Sequence, residues 1–244
     1  MNIFKKATIA LALSASILSV GGSAFASTTS TTTAPTASKP SCSTDFSQAK
    51  SLVLSELNNR VTTLQSLAKD VGNAKYLTSN DSSALSSEIT SELSGINGLI
   101  ANVNGATTCT ELRLNAYSMV FTYRVYLVMA PKTHLTISAD AITSISNELY
   151  NLEPEIQAAI NAASANGKNV AQAQSAFADF QTQVSSAQSA SNGMDQTLLA
   201  QTPAGSPGNW NIFVSSKNSL ESARGELHQA RNDLTTIVKS LGIG

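Results

Sequence analysis

The sequence predicts an all-α chain, on three observations. From Cys42 onward apolar residues recur at spacings of three and four, no stretch alternates in the manner of a strand, and capping or turn residues separate the runs. The first run, Leu54, Leu57, Val61, Leu64, Ala68 and Val71, places one apolar stripe on a helix. After the polar break at residues 77–82, the second carries Leu85, Ile89, Leu93, Ile96, Ile100 and Val103. Thr108-Cys-Thr-Glu111 reads as a capping box opening a third helix with Leu112, Ala116, Met119, Tyr123, Tyr126 and Ala130. Leu114, Phe121, Val125 and Val128 make that helix apolar on its other faces too, so it is expected to be the most buried. Pro131 is expected to end or kink it.

The fourth run holds Leu135, Ile142, Ile145, Leu149, Leu152, Ile156 and Ile160, with its register carried across Pro154, which implies a kink and not a stop. Asn166-Gly167 signals its end. The fifth shows Val170, Ala173, Phe177, Phe180, Val184, Ala187, Met194 and Leu198. A Pro/Gly-rich loop over 201–208 leads to the sixth, with Phe213, Leu220, Leu227, Leu234 and Leu241. The last three runs are each about 33 residues, near 50 Å as helices. The expected architecture is six antiparallel amphipathic helices in two coiled-coil-like three-helix halves, 42–130 and 131–244, joined near Pro131.

Lys5 and Lys6, the apolar run Ala7 to Val20 and the A-x-A site Ala24-Phe-Ala26 form a signal peptide over residues 1–26. Residues 27–41 are nearly all Ser, Thr, Ala and Pro, too poor in apolar surface to offset the entropy of ordering them. They read as a disordered leader, with an O-glycosylated stalk as the sharper alternative. An exported chain with two cysteines most simply forms one disulfide, Cys42–Cys109, and an up-down-up bundle brings those positions to the same end. Two free or intermolecular thiols are the alternative. The expected location is secreted or cell-surface.

Removing the two signal-peptide lysines from the formal charge of −1 leaves −3, which argues against a nucleic-acid partner. Nucleophile-elbow, zincin, Cys-x-x-Cys and phosphate-loop motifs do not occur, and two histidines leave little material for a metal centre. No cofactor and no catalytic activity are expected. One stretch stands out. Tyr117, Tyr123, Arg124, Tyr126, Lys132, His134 and Asp140 place polar groups inside an otherwise apolar run. As a ligand site, Arg124 would hold an anionic group and His134 would move a proton. As structure, Arg124 would pair with Asp140 or Glu148, and the tyrosines would edge the core. The second reading is favoured. Trp210 is read as a hydrophobic staple packing back on the bundle.

At Arg124-Val-Tyr126 and Ala130-Pro-Lys-Thr-His-Leu135, followed by Ala139-Asp140, the chain resembles a set of uncharacterised exported bacterial helical-bundle proteins. In them a similar Arg-Val-Tyr…Pro-Lys…Ala-Asp segment joins two helices, and Thr202-Pro-Ala204 also fits. The resemblance spans most of residues 45–241 and implies a helical fold and export. It implies no mechanism, and this chain's second half is poorer in charge than theirs. The function expected first is a non-enzymatic module binding a protein or cell-wall partner. A membrane-active helical protein comes second, because the best apolar segment, 120–130, has 11 residues and carries Arg124. A small-ligand binder around Arg124 and His134 comes last.

Overall fold

Side-chain oxygens set the first three helix starts. Asp45 Oδ1 accepts the Gln48 N–H (2.9 Å) at the head of α1 (Phe46–Asn73), and Thr78 accepts from Asp81 (3.2 Å) at the head of α2 (Ser79–Gly105). The expected capping box opens α3 (Cys109–Phe121): Thr108 accepts the Glu111 N–H at 3.3 Å, while Glu111 Oε2 accepts the Thr108 N–H at 3.1 Å. Each such cap contributes about 1 kcal/mol. Hydrogen bonds from the Thr107 and Thr108 N–H groups hold the Glu111 carboxyl below its usual pKa.

The computed structural model describes residues 42–242, which are all-α, with no strand among them. The signal-peptide and leader readings lie outside these residues. Two compact units divide the chain. One holds residues 42–134 with 199–212, the other 135–198 with the chain from Phe213 onward.

In the first unit α1 packs along α2, and α3 packs on both. Leu57, Leu64, Leu67 and Val71 of α1 are buried, as are Leu85, Ile89, Ile96, Leu99 and Val103 of α2. Ala68 is exposed, and Leu67 takes the inward place expected for it. The expected disulfide is present: Cys42 and Cys109 are bonded, with Cα atoms 5.7 Å apart.

The third helix differs from its reading in two ways. It stops at Phe121, and Arg124 adopts the left-handed conformation (φ 42°) before a π-helical turn, Val125–Met129. That turn runs straight into α4 (Ala130–Tyr150), so Pro131 lies inside a continuous helical run. A proline lacks an N–H and its ring crowds the carbonyl four residues back; the wider turn before it accommodates both. The Ala130 N–H accordingly reaches the Val125 carbonyl, five residues back. The second correction concerns burial. Only Leu112 and Met119 of α3 are buried, whereas Leu114, Tyr117, Val120 and Phe121 face solvent. Two inward positions pack this short helix on the hairpin, and among the described residues Leu114, Tyr117, Val120 and Phe121 remain exposed.

In the second unit the long fourth and fifth runs are each divided. α4 gives way at Asn151–Leu152 to α5 (Glu153–Ala165), with Pro154 in the first turn of α5, where its missing N–H is not needed. Leu152 keeps right-handed helical angles and accepts the Ile156 N–H at 3.0 Å, so the register survives and Leu149, Ile156 and Ile160 are all buried. α6 (Ala171–Ser191) ends at Asn192-Gly193, where Gly193 takes φ +68°, and the short α7 (Met194–Leu199) follows. Only α8 (Asn209–Ser240), at 32 residues, reaches the expected length.

α8 carries the most regular pattern in the chain. Phe213, Leu220, Leu227, Leu234 and Leu241 are buried, and Ser216, Ala223, Ala230 and Ile237 are buried between them. This seam of alternating three- and four-residue steps is that of coiled-coil packing, with small residues permitting close helix approach. Across the unit, Thr143 of α4 donates to Ser191 of α6 (3.0 Å), and Gln181 of α6 donates to Glu153 of α5 (2.8 Å). Lys168 in the α5–α6 loop donates to the Leu241 carbonyl (2.7 Å).

The disulfide closes a 67-residue separation around α1 and α2. Replacing both cysteines by Ala is expected to lower the stability of the first unit by about 4 kcal/mol, the chain-entropy value for such a loop. Chemical denaturation with and without reductant checks this, and coincident midpoints would refute it.

Candidate functional site

Lys132 is the side chain that organises the unusual stretch. It sits in the first turn of α4 and is only 1% exposed. A buried ammonium group must have all three N–H donors satisfied. Here Nζ donates to both carboxylate oxygens of Glu88 on α2 (2.5 Å each) and to the Gln201 carbonyl (2.8 Å). Glu92, one turn further along α2, completes the cluster. Its Oε2 is buried without a hydrogen-bond partner, and its carboxyl pKa is raised to about 7. Burial is the main cause, followed by the charge of Glu88; the Lys132 charge acts in the opposite direction.

Arg124 forms a strut beside this pair. Arg124 Nη1 donates to Ser206 Oγ (2.6 Å) and Nε to the Phe121 carbonyl (3.0 Å). A hydroxyl and a carbonyl therefore take the place of the carboxylate partner expected for Arg124. These bonds also fix a non-glycine residue in the left-handed region, a conformation that costs about 1 kcal/mol or more. With Lys132 to Gln201 they pin the 199–212 segment to the rest of the first unit, and Asn209 Nδ2, donating to the Thr202 carbonyl (2.7 Å), ties the segment to itself. Thr202-Pro-Ala204 thus lies in the segment that the stretch around Arg124 holds.

Tyr123 is half-buried, its ring against Gly95 of α2; a Cβ there would overlap the ring, so the tyrosine would have to shift to admit one. Tyr126 is exposed and carries the Arg60 guanidinium over its ring at 4.8 Å. His134 is half-buried, and burial lowers its pKa while Asp70 pulls the other way. Asp140 is buried in α4 and belongs to the second unit, whereas the other six candidates belong to the first. Trp210 is half exposed, and Phe213 is the residue from that turn that enters the core, which corrects the staple reading.

Glu88, Glu92, Gln201 and Ser206 were not singled out in the sequence. The two glutamates carry a usable signal: like charges at i and i+4 repel on a helix face, so a cation is needed near them. Gln201 engages through its backbone carbonyl, which residue type does not reveal.

Chemically, the cluster holds position more than it reacts. All three Lys132 donors are taken up by Glu88 and the Gln201 carbonyl. No family model matches this chain, and no curated protein or solved structure is significantly similar to it.

Two outcomes follow. Lys132→Met leaves Glu88 without its cation and is expected to destabilise the first unit on the order of 3 kcal/mol, whereas a Glu88→Leu/Lys132→Met pair recovers much of that loss. Denaturant titration of the three proteins checks it. Glu92 has a raised pKa in the folded state, so its contribution is fully present below about pH 4.5 and is lost as pH rises through about 7. His134, with a lowered pKa, has the opposite slope. The Tm of Glu92→Gln minus that of the wild type should therefore grow between pH 4.5 and 7.5; a flat difference would contradict the assignment.

Proposed function

We propose that this chain is an exported, non-enzymatic helical-bundle protein of the bacterial envelope that docks on a partner through the exposed apolar face of α3. The observation that carries the reading is the clustering of large exposed apolar side chains. Leu114, Tyr117, Val120, Phe121, Tyr126 and Leu127 are between 40% and 64% exposed, all within one 14-residue stretch. Scattered surface leucines need no explanation, but a contiguous stripe on a rigid support marks an interaction surface. The support is rigid because the turn beneath it is held by Arg124 to Ser206 and Lys132 to Glu88.

Export rests on the basic residues, apolar run and A-x-A site in residues 1–26. A Cys42–Cys109 disulfide suits an oxidising compartment. Among the described residues no helix is long and apolar enough to cross a membrane. A secreted or cell-surface location accommodates all three.

The test is co-sedimentation of the mature protein with washed envelope fragments. Leu114→Ser/Phe121→Ser is expected to reduce the bound fraction at least tenfold with an unchanged thermal melt, since both side chains are exposed. Undiminished binding by that variant would refute the reading.

A further inference from the structure

The charge around the exposed stripe narrows the partner, and this inference rests on the docking reading above. On a helix, Thr110, Arg113, Leu114, Tyr117, Val120 and Phe121 fall on one side, a strip about 17 Å long at 1.5 Å per residue. All six are exposed. Tyr117 stacks on Phe121 with ring centroids 4.5 Å apart, and the Arg124 guanidinium lies 5.5 Å from the Phe121 ring centre. Leucine, tyrosine and phenylalanine flanked by an arginine at each end is the composition of a surface that enters the headgroup level of a bilayer without crossing it.

The charges on this strip are of one sign. Between Glu111 and Asp140 the chain contains no carboxylate, while Arg113 and Arg124 are both present. Arg124 is bonded only to the neutral Ser206 hydroxyl and Phe121 carbonyl, so its charge is not neutralised by these partners. Of the nearby acids, Glu56 is paired with Arg60, and Glu111, which accepts the Thr107 and Thr108 N–H groups at the helix start, keeps its charge but lies off the side of the helix that carries the strip. A second copy of the chain would bring arginine-bearing faces together, and a neutral glycan offers them no counter-charge. We infer that the α3 face docks peripherally on a lipid surface bearing anionic headgroups, with Leu114, Tyr117 and Phe121 at the headgroup–acyl boundary and Arg113 and Arg124 on the phosphates.

The test is flotation of the mature protein with phosphatidylcholine vesicles and with vesicles containing phosphatidylglycerol, alongside envelope co-sedimentation. The inference predicts at least tenfold stronger binding to the anionic vesicles. It further predicts loss of that preference in high salt and in Arg113→Ser, loss of binding in Leu114→Ser/Phe121→Ser, and no leakage of vesicle contents. Equal binding to both vesicle types would overturn it, as would self-association abolished by Phe121→Ser in place of vesicle binding. If neither vesicle binds but the double variant still loses envelope association, the lipid surface is wrong and the docking face stands. If the variant keeps its envelope association, the docking reading itself falls.

Discussion

The first unit depends on getting one ammonium group out of water. Lys132 is fully buried, and its charge is tolerable only because two chain segments distant in sequence arrive with oxygens. Glu88 brings α2, and the Gln201 carbonyl brings the segment 199–212. The three must therefore assemble together. An apolar side chain at 132 would accept many arrangements of its neighbours; an ammonium accepts only those that satisfy its donors. Glu92, crowded by Glu88 and half withdrawn from water, is the residual strain of placing two carboxylates a turn apart beside one cation.

That requirement also explains why the segment 199–212 belongs to a unit whose other residues precede it by more than sixty positions. Apolar burial alone gives such a segment little to hold it, since Thr202, Ala204, Gly205 and Pro207 are exposed. Polar bonds from Arg124 and Lys132 fasten it instead. The cost of leaving any of those groups unsatisfied in a partly dry environment makes the fastening specific.

Much of the fold was legible because it follows from periodicity. The core of α1 and α2, the capping box at Thr108, the turn at Asn166-Gly167 and the heptads of α8 all appear in the sequence as spacing or as residue types with a local mechanism. The break at Asn192-Gly193 was equally visible, yet the apolar spacing through Met194 and Leu198 argued for continuity and concealed it. The break at Thr122–Arg124 was not visible. No glycine, asparagine or proline stands there, and what turns the chain is a pair of hydrogen bonds from a side chain to Ser206 and Phe121. The exposure of α3 was misread for a related reason: an apolar residue announces that it avoids water, without naming what will cover it. Six of the seven candidate residues share a unit, but the glutamate partner of Lys132 is set by tertiary packing, to which spacing along one helix gives only a hint.

The disulfide has a mechanical meaning. Tension arriving through the chain before Cys42 passes across the sulfur bridge to Cys109 and on into α3, by the shortest covalent path. The intervening loop, which contains all of α1 and α2, carries none of that load. Pulled from its N-terminal side, the first unit would yield at α3 and the turn after it while its helical hairpin stayed slack. The bridge thus makes α3 the point at which a pull from the N-terminal side first registers.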